Sequence, residues 1–85
     1  MTDIFPERPG LELQKRLKKA GMTQIDFARK INVSHSCINE IISGKRKITV
    51  VAAQKIADYF GEEPSYWLNK QSDYFIYLNK HSLPL

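Results

Sequence analysis

Ser34, His35, Ser36, Asn39 and Glu40 lie close together and are followed at once by the cationic run Lys45, Arg46, Lys47. Hydroxyls, an imidazole, a carboxamide and a carboxylate are the groups that read base edges. Asn can pair with two atoms of adenine, Glu can accept from cytosine N4, and His can donate to guanine acceptors. Three consecutive cations suit phosphate oxygens, where each contact releases counterions and makes affinity fall with salt. Upstream, Thr23 and Gln24 place a hydroxyl and a carboxamide at the start of a helical stretch. Free backbone N–H groups there also attract phosphate. The chemistry on offer is therefore recognition of duplex DNA. Ser34, His35, Ser36, Asn39 and Glu40 are the candidates for bases; Thr23, Gln24, Lys45, Arg46 and Lys47 are the candidates for the phosphate backbone.

Each of these residues also has a plainer reading. The cationic run taken alone is a solvated loop. Glu40 can be a surface residue, or can repel phosphate and so select against wrong sites. Cys37 reads as a packed or half-exposed thiol rather than a redox centre. His35 and His81 are too isolated to suggest a metal site. The chain shows no paired carboxylates, no nucleophile with its base, no metal cluster and no phosphate loop, so an enzyme is not expected. No cofactor is implied.

Reading bases requires a helix presented by its N-terminal end, and the flanking pattern supplies one. Residues 24–43 read as two short amphipathic helices joined by a tight turn, the helix-turn-helix arrangement. The first, 24–31, has Thr23 as its N-cap and Phe27, Ala28 and Ile31 as its inner stripe. The turn is Asn32-Val33, and asparagine tolerates the positive φ such turns use. Ser34 caps the second helix, whose Ile38, Ile41 and Ile42 face inward while the polar set faces out.

Three further helices are expected around this pair. One spans 10–20, with Leu13 and Leu17 inward and Gly21 as its left-handed cap. Another runs from its cap Thr49 to Phe60, with Ala53, Ile56, Ala57 and Phe60 in one stripe. The last opens near Pro64 and reaches Lys80. That final helix carries five of the chain's nine aromatic residues, on more than one face. A helix apolar on several sides needs more than one neighbour. Trp67, Tyr74, Phe75 and Leu78 are therefore read as contacts to a partner or a second copy, with core packing as the alternative. No stretch alternates with period two, so the fold class is all-α.

Size and charge agree with this picture. The chain has 85 residues and a formal net charge of +4, with 13 Lys and Arg against 9 Asp and Glu. One domain, 1–85, is expected, with 1–9 as an N-terminal segment. A core this small gains from dimerisation. A single cysteine excludes an intramolecular disulfide. No apolar run approaches the roughly 20 residues of a membrane span. The first residues lack the basic start and apolar core of a signal peptide, so no membrane partner and a cytoplasmic location are expected.

Taken together, Gln24, Ala28, Val33-Ser34, Ile38, Ile41-Ile42, Gly44, Arg46 and Ile48-Thr49 resemble the Xre/Cro-like helix-turn-helix family of phage-repressor type. The flanks sharpen the likeness. Pro9-Gly10, Leu13, Leu17 and Gly21 look like the start of HigA-type antitoxins. Ala53, Ile56-Ala57, Phe60-Gly61 and Trp67-Leu68-Asn69-x-Gln71 look like their end. Lys70 stands where that family often has an apolar residue, and Asn32 replaces a frequent glycine. The resemblance implies a five-helix, lambda-repressor-like DNA-binding domain, usually a homodimer. It implies a palindromic operator in the protein's own promoter, and a HigB-type toxin, an mRNA-cleaving ribonuclease of RelE-like kind, as partner. By position, the family's DNA contacts fall on Gln24, Ser34, His35, Ser36, Asn39 and the loop 45–47. A stand-alone repressor of phage or plasmid origin is the rival reading, since nothing inside the DNA-binding motif separates the two.

Overall fold

The computed structural model describes residues 6–81 as five helices: α1 (Pro9–Ala20), α2 (Gln24–Ile31), α3 (His35–Ser43), α4 (Val50–Phe60) and α5 (Pro64–Lys80). The expected N-terminal segment falls largely on residues 1–5, outside the described residues. Among the described residues there is no strand.

Local chemistry sets the helix ends. The side chains of Thr23, Ser34 and Thr49 accept from the backbone N–H groups of Asp26, Cys37 and Ala52, satisfying donors that each helix start leaves unpaired. Pro9 and Pro64 occupy first turns, where the missing N–H is no loss. At the far end of α2, Asn32 adopts a left-handed conformation with φ 60°. Its tolerance of that region lets the N–H of Val33 reach back to the carbonyl of Ala28 at 3.0 Å. Lys55 then donates to the Asn32 carbonyl at 2.9 Å, tying the turn to α4.

The core gathers one stripe from each helix. Leu13 and Leu17 of α1, Phe27, Ala28 and Ile31 of α2, and Ile38, Ile41 and Ile42 of α3 are all buried. Ile48, then Ala52, Ala53, Ile56 and Ala57 of α4, and Trp67 of α5 complete it. Phe27 and Phe60 stack with centroids 5.8 Å apart, and Phe60 lies 6.4 Å from Trp67.

α1 crosses α3 at Gly10. A Cβ there would sit 2.0 Å from the carbonyl oxygen of Ile41, so only glycine lets the backbones approach this closely. The same crossing places Arg8 beside the end of α3, where its Nη1 donates to the Ile42 carbonyl at 2.6 Å. An orphan carbonyl at the C-terminus of α3 is thereby satisfied.

One expectation fails. Trp67 is 0 % exposed, so it is a core residue and not a partner contact. Its indole N–H donates to Glu62 at 3.0 Å and its ring lies under Arg16. Tyr74, Phe75 and Leu78, further along α5, are half-buried, and Ile76 beside them is 62 % exposed. The aromatic density of α5 thus divides between an inner end that packs and an outer end that stays accessible.

A polar cluster joins α1 to α5. Arg16 bonds Glu12 on its own helix and pairs with Glu62 at 2.8 Å. Its guanidinium lies 4.7 Å over Phe60 and 4.8 Å over Trp67. Tyr66 donates to the Glu12 carboxylate at 2.7 Å, and Lys70 reaches the same carboxylate at 2.9 Å. Lys70, the departure from the family pattern, therefore has a partner: it sits between helices, facing an acidic residue.

Candidate nucleic-acid interface

α2 and α3 carry the candidate DNA-facing residues and meet at an angle set by their apolar stripes. Ser34, His35, Ser36 and Asn39 are all exposed on the outer side of α3, and Glu40 is half-exposed. Ser34 caps α3 by accepting from Cys37 at 3.0 Å, so its hydroxyl hydrogen remains able to donate outward. Thr23 caps α2 in the same way and stands exposed at its start.

Two side chains from the two helices join across the turn. Asn39 Nδ2 donates to Gln24 Oε1 at 3.1 Å. Each carboxamide then keeps unused donors and acceptors pointing outward, and each fixes the rotamer of the other. An amide held in place beforehand loses less entropy when it binds a ligand.

Beyond α3, Gly44 turns the chain in the left-handed region, with the N–H of Lys45 bonded to the Glu40 carbonyl at 2.8 Å. Lys45, Arg46 and Lys47 follow, all exposed. They differ in what they touch. Arg46 donates through Nε and Nη2 to one oxygen of Glu40, at 2.8 and 2.6 Å. Donation to this carboxylate raises the Arg46 pKa. Lys47 places its ammonium 5.2 Å over the Phe75 ring of α5. Ile48, buried at the end of the loop, is bonded through both its backbone groups to the amide of Gln71.

The structure thus brings Gln24 and Asn39 together, pairs Glu40 with Arg46, and sets the loop 45–47 beside the C-terminal end of α3. Sequence reading did not assign Arg8, which closes the end of α3 and lies against Gly44. It named Gln71 within a motif but gave it no task. Neither carries a local signal, because each acts on backbone far away in the chain. Among the described residues no group of His, Cys, Asp and Glu could hold a metal ion, and no helix is long and apolar enough to cross a membrane.

A polar recognition helix, a capped partner helix and a basic loop on a five-helix body define a DNA-binding domain of helix-turn-helix type. The family model described as helix-turn-helix matches residues 13–67, more than half of the chain. The chain belongs to that family, in its Xre-like form, and its structural neighbours include HigA antitoxins. It is 30% identical to an addiction module antidote protein of the HigA family from Coxiella burnetii, with TM-score 0.83 over 93% of this chain and 89% of that one. It is 27% identical to the Pseudomonas aeruginosa antitoxin HigA with the higBA promoter, with TM-score 0.84 over 91% of this chain and 85% of that one. Among sequence relatives, virulence-associated protein I of Dichelobacter nodosus is 39% identical over 67 residues, 78% of this chain and 62% of the relative. The chain spans about three fifths of the length of such relatives.

Proposed function

We propose that this chain is an antitoxin of HigBA type that binds a palindromic operator as a homodimer, represses its own operon, and neutralises a HigB-type mRNA-cleaving toxin. The observation that carries the DNA-binding half is the Gln24–Asn39 hydrogen bond at the open face of the two helices. An exposed carboxamide and a half-exposed one held in register, next to three cations, are of little use to a fold that only packs against protein. The antitoxin half is supported by the likeness to HigA proteins, one of them solved with promoter DNA.

In this reading α3 enters the major groove by its N-terminal end. Asn39 reads adenine, with Ser34, His35 and Ser36 beside it, and Glu40 at the edge of the face. Thr23, Gln24 and the loop 45–47 hold the phosphates and set the register. Two copies, joined through the accessible end of α5 at Tyr74, Phe75 and Leu78, place their recognition helices about 34 Å apart, one turn of duplex. The rival reading, a stand-alone repressor, uses the same surface without a toxin.

The test has two parts. Coexpression with the neighbouring genes should copurify a small basic protein that is toxic alone and silenced by this chain; a lone dimer on its own upstream DNA would leave the repressor reading. Asn39→Ala should lose about 1–3 kcal/mol of discrimination at one base position. Unchanged affinity and base preference in that variant would remove the assignment of the recognition face.

A further inference from the structure

The end of the basic loop is hydrogen-bonded from behind by one side chain of α5. Gln71, on α5, accepts from the Ile48 N–H at 2.7 Å and donates to the Ile48 carbonyl at 2.9 Å. Ile48 is the residue directly after Lys47 and is 3 % exposed, so these bonds fall on a backbone unit at the edge of the core. Of the common side chains, only a carboxamide supplies one donor and one acceptor at this spacing. The pairing imitates a rung of β-ladder between a side chain and a backbone.

Packing of the buried Ile48 side chain fixes the end of the loop, but the cationic run before it stays exposed. Between the loop and α5 lies a cavity of ≈ 290 Å³, bordered by Lys45 to Ile48 on one side and by Gln71, Tyr74 and Phe75 on the other. The loop therefore bridges open space. What spans the gap is the Gln71 amide and, one turn later on α5, the contact of Lys47 with the Phe75 ring. The front of the loop is fixed separately, by the left-handed turn at Gly44 and the Lys45–Glu40 backbone bond.

We infer that Gln71 is a positioning residue for DNA binding: its amide sets the height of the Lys45–Lys47 loop relative to the recognition helix, without touching DNA itself. This rests on the DNA-binding reading above. It also gives α5 a second task, because the helix that offers Tyr74, Phe75 and Leu78 to a partner is the helix that holds the loop. A shift of α5 moves the phosphate contacts and leaves the base-reading face of α3 in place.

The experiment compares wild type with Gln71→Met, which keeps the side-chain length and removes both bonds. Binding is measured against salt on two duplexes, the sequence immediately upstream of the protein's own reading frame and a scrambled version of it. Gln71→Met should bind both about tenfold more weakly, with a shallower salt slope by roughly one and an unchanged ratio between the duplexes. A merely structural effect lowers the folded fraction and leaves the slope alone, so concentrations are corrected to folded protein by circular dichroism. In wild type, amide exchange gives a reading that needs no variant: the Ile48 N–H should be protected far beyond those of Arg46 and Lys47. An unprotected Ile48 N–H, or an unchanged salt slope in Gln71→Met, would overturn the inference while the DNA-binding reading stands. Wild type that binds neither duplex at low salt would overturn both.

Discussion

Two arginine–glutamate arrangements in this small molecule look alike on paper and differ in what surrounds them. Arg16 sits between Glu12 and Glu62, a quarter exposed, with aromatic rings against its guanidinium. Arg46 pairs with Glu40 at comparable distances but stands in solvent. The first arrangement is partly desolvated, multiply bonded and wedged between α1 and α5. The second is screened by water and held by one oxygen. Exposed pairs contribute little to stability, whereas partly buried networks penalise the loss of any member. The same chemistry therefore fastens the fold in one place and stays available for exchange in the other. An arginine that can trade a carboxylate for a phosphate is what a DNA-facing loop needs.

The largest effect that would test this division comes from the inner end of α5. Trp67→Ala removes the biggest fully buried side chain, leaves a cavity beside Phe60, and strips Arg16 of one ring. A loss of about 3–5 kcal/mol is expected, large enough to leave a domain of this size mostly unfolded. Thermal melts read it directly. A folded, stable Trp67→Ala protein would mean that α5 is anchored elsewhere, chiefly by the polar cluster with α1.

Next comes the same substitution made twice. Arg16→Met should destabilise by about 1–3 kcal/mol, since Glu12 and Glu62 are left facing each other in a partly dry site. DNA affinity per folded molecule should not change. Arg46→Met should leave the melting temperature where it was and weaken binding to every duplex, with a salt slope smaller by roughly one. If the two variants exchanged phenotypes, the contrast between the regions would be inverted.

Acid sharpens the comparison further. Burial opposes ionisation of Glu12, but hydrogen bonds from Lys70, Tyr66 and Arg16 outweigh it and hold the carboxyl below its ordinary range. A carboxylate whose folded pKa is depressed stabilises fully above its unfolded value, about 4.3 for Glu, and its contribution is lost as pH falls through the folded value. The melting temperature of wild type should therefore decline in that window. Glu12→Gln should start lower and decline less over the same range. Parallel curves for the two proteins would remove Glu12 as a source of acid sensitivity.

The division between the regions also marks what the sequence could reveal. Helix ends were legible because each is a local event: Thr23, Ser34 and Thr49 cap within three residues, and Asn32 takes the positive φ expected of it. The five-helix class follows from those ends and the apolar stripes between them. Only α1 begins a residue earlier than read, at Pro9. Trp67 was misplaced because aromatic density says that a helix has several neighbours without saying which residue meets which. The Arg16 cluster, the Arg8 cap and the Gln71 clamp join residues far apart in the chain. Their partners are chosen by how helices cross, and periodicity carries no trace of that choice.

The smallest expected effect concerns Glu40, and it decides what the exposed pair is for. Its carboxylate occupies Arg46, and under the proposed binding mode it also sets a negative charge before an approaching phosphate. Both features oppose binding, and neither depends on sequence. Glu40→Gln removes the repulsion and releases the guanidinium, so affinity should rise a few-fold on the upstream duplex and on its scrambled version alike. The salt slope should steepen by up to roughly one, as Arg46 engages a phosphate and displaces a counterion. Melting should barely change, because an exposed pair of this kind contributes almost nothing to folding. A different pattern would assign Glu40 otherwise: if only the upstream duplex responds, and weakens, the carboxylate accepts from a cytosine N4 and belongs to the base-reading set with Asn39. A rise on both duplexes makes the pair a brake on indiscriminate binding, so that specificity here comes partly from a charge that DNA has to displace.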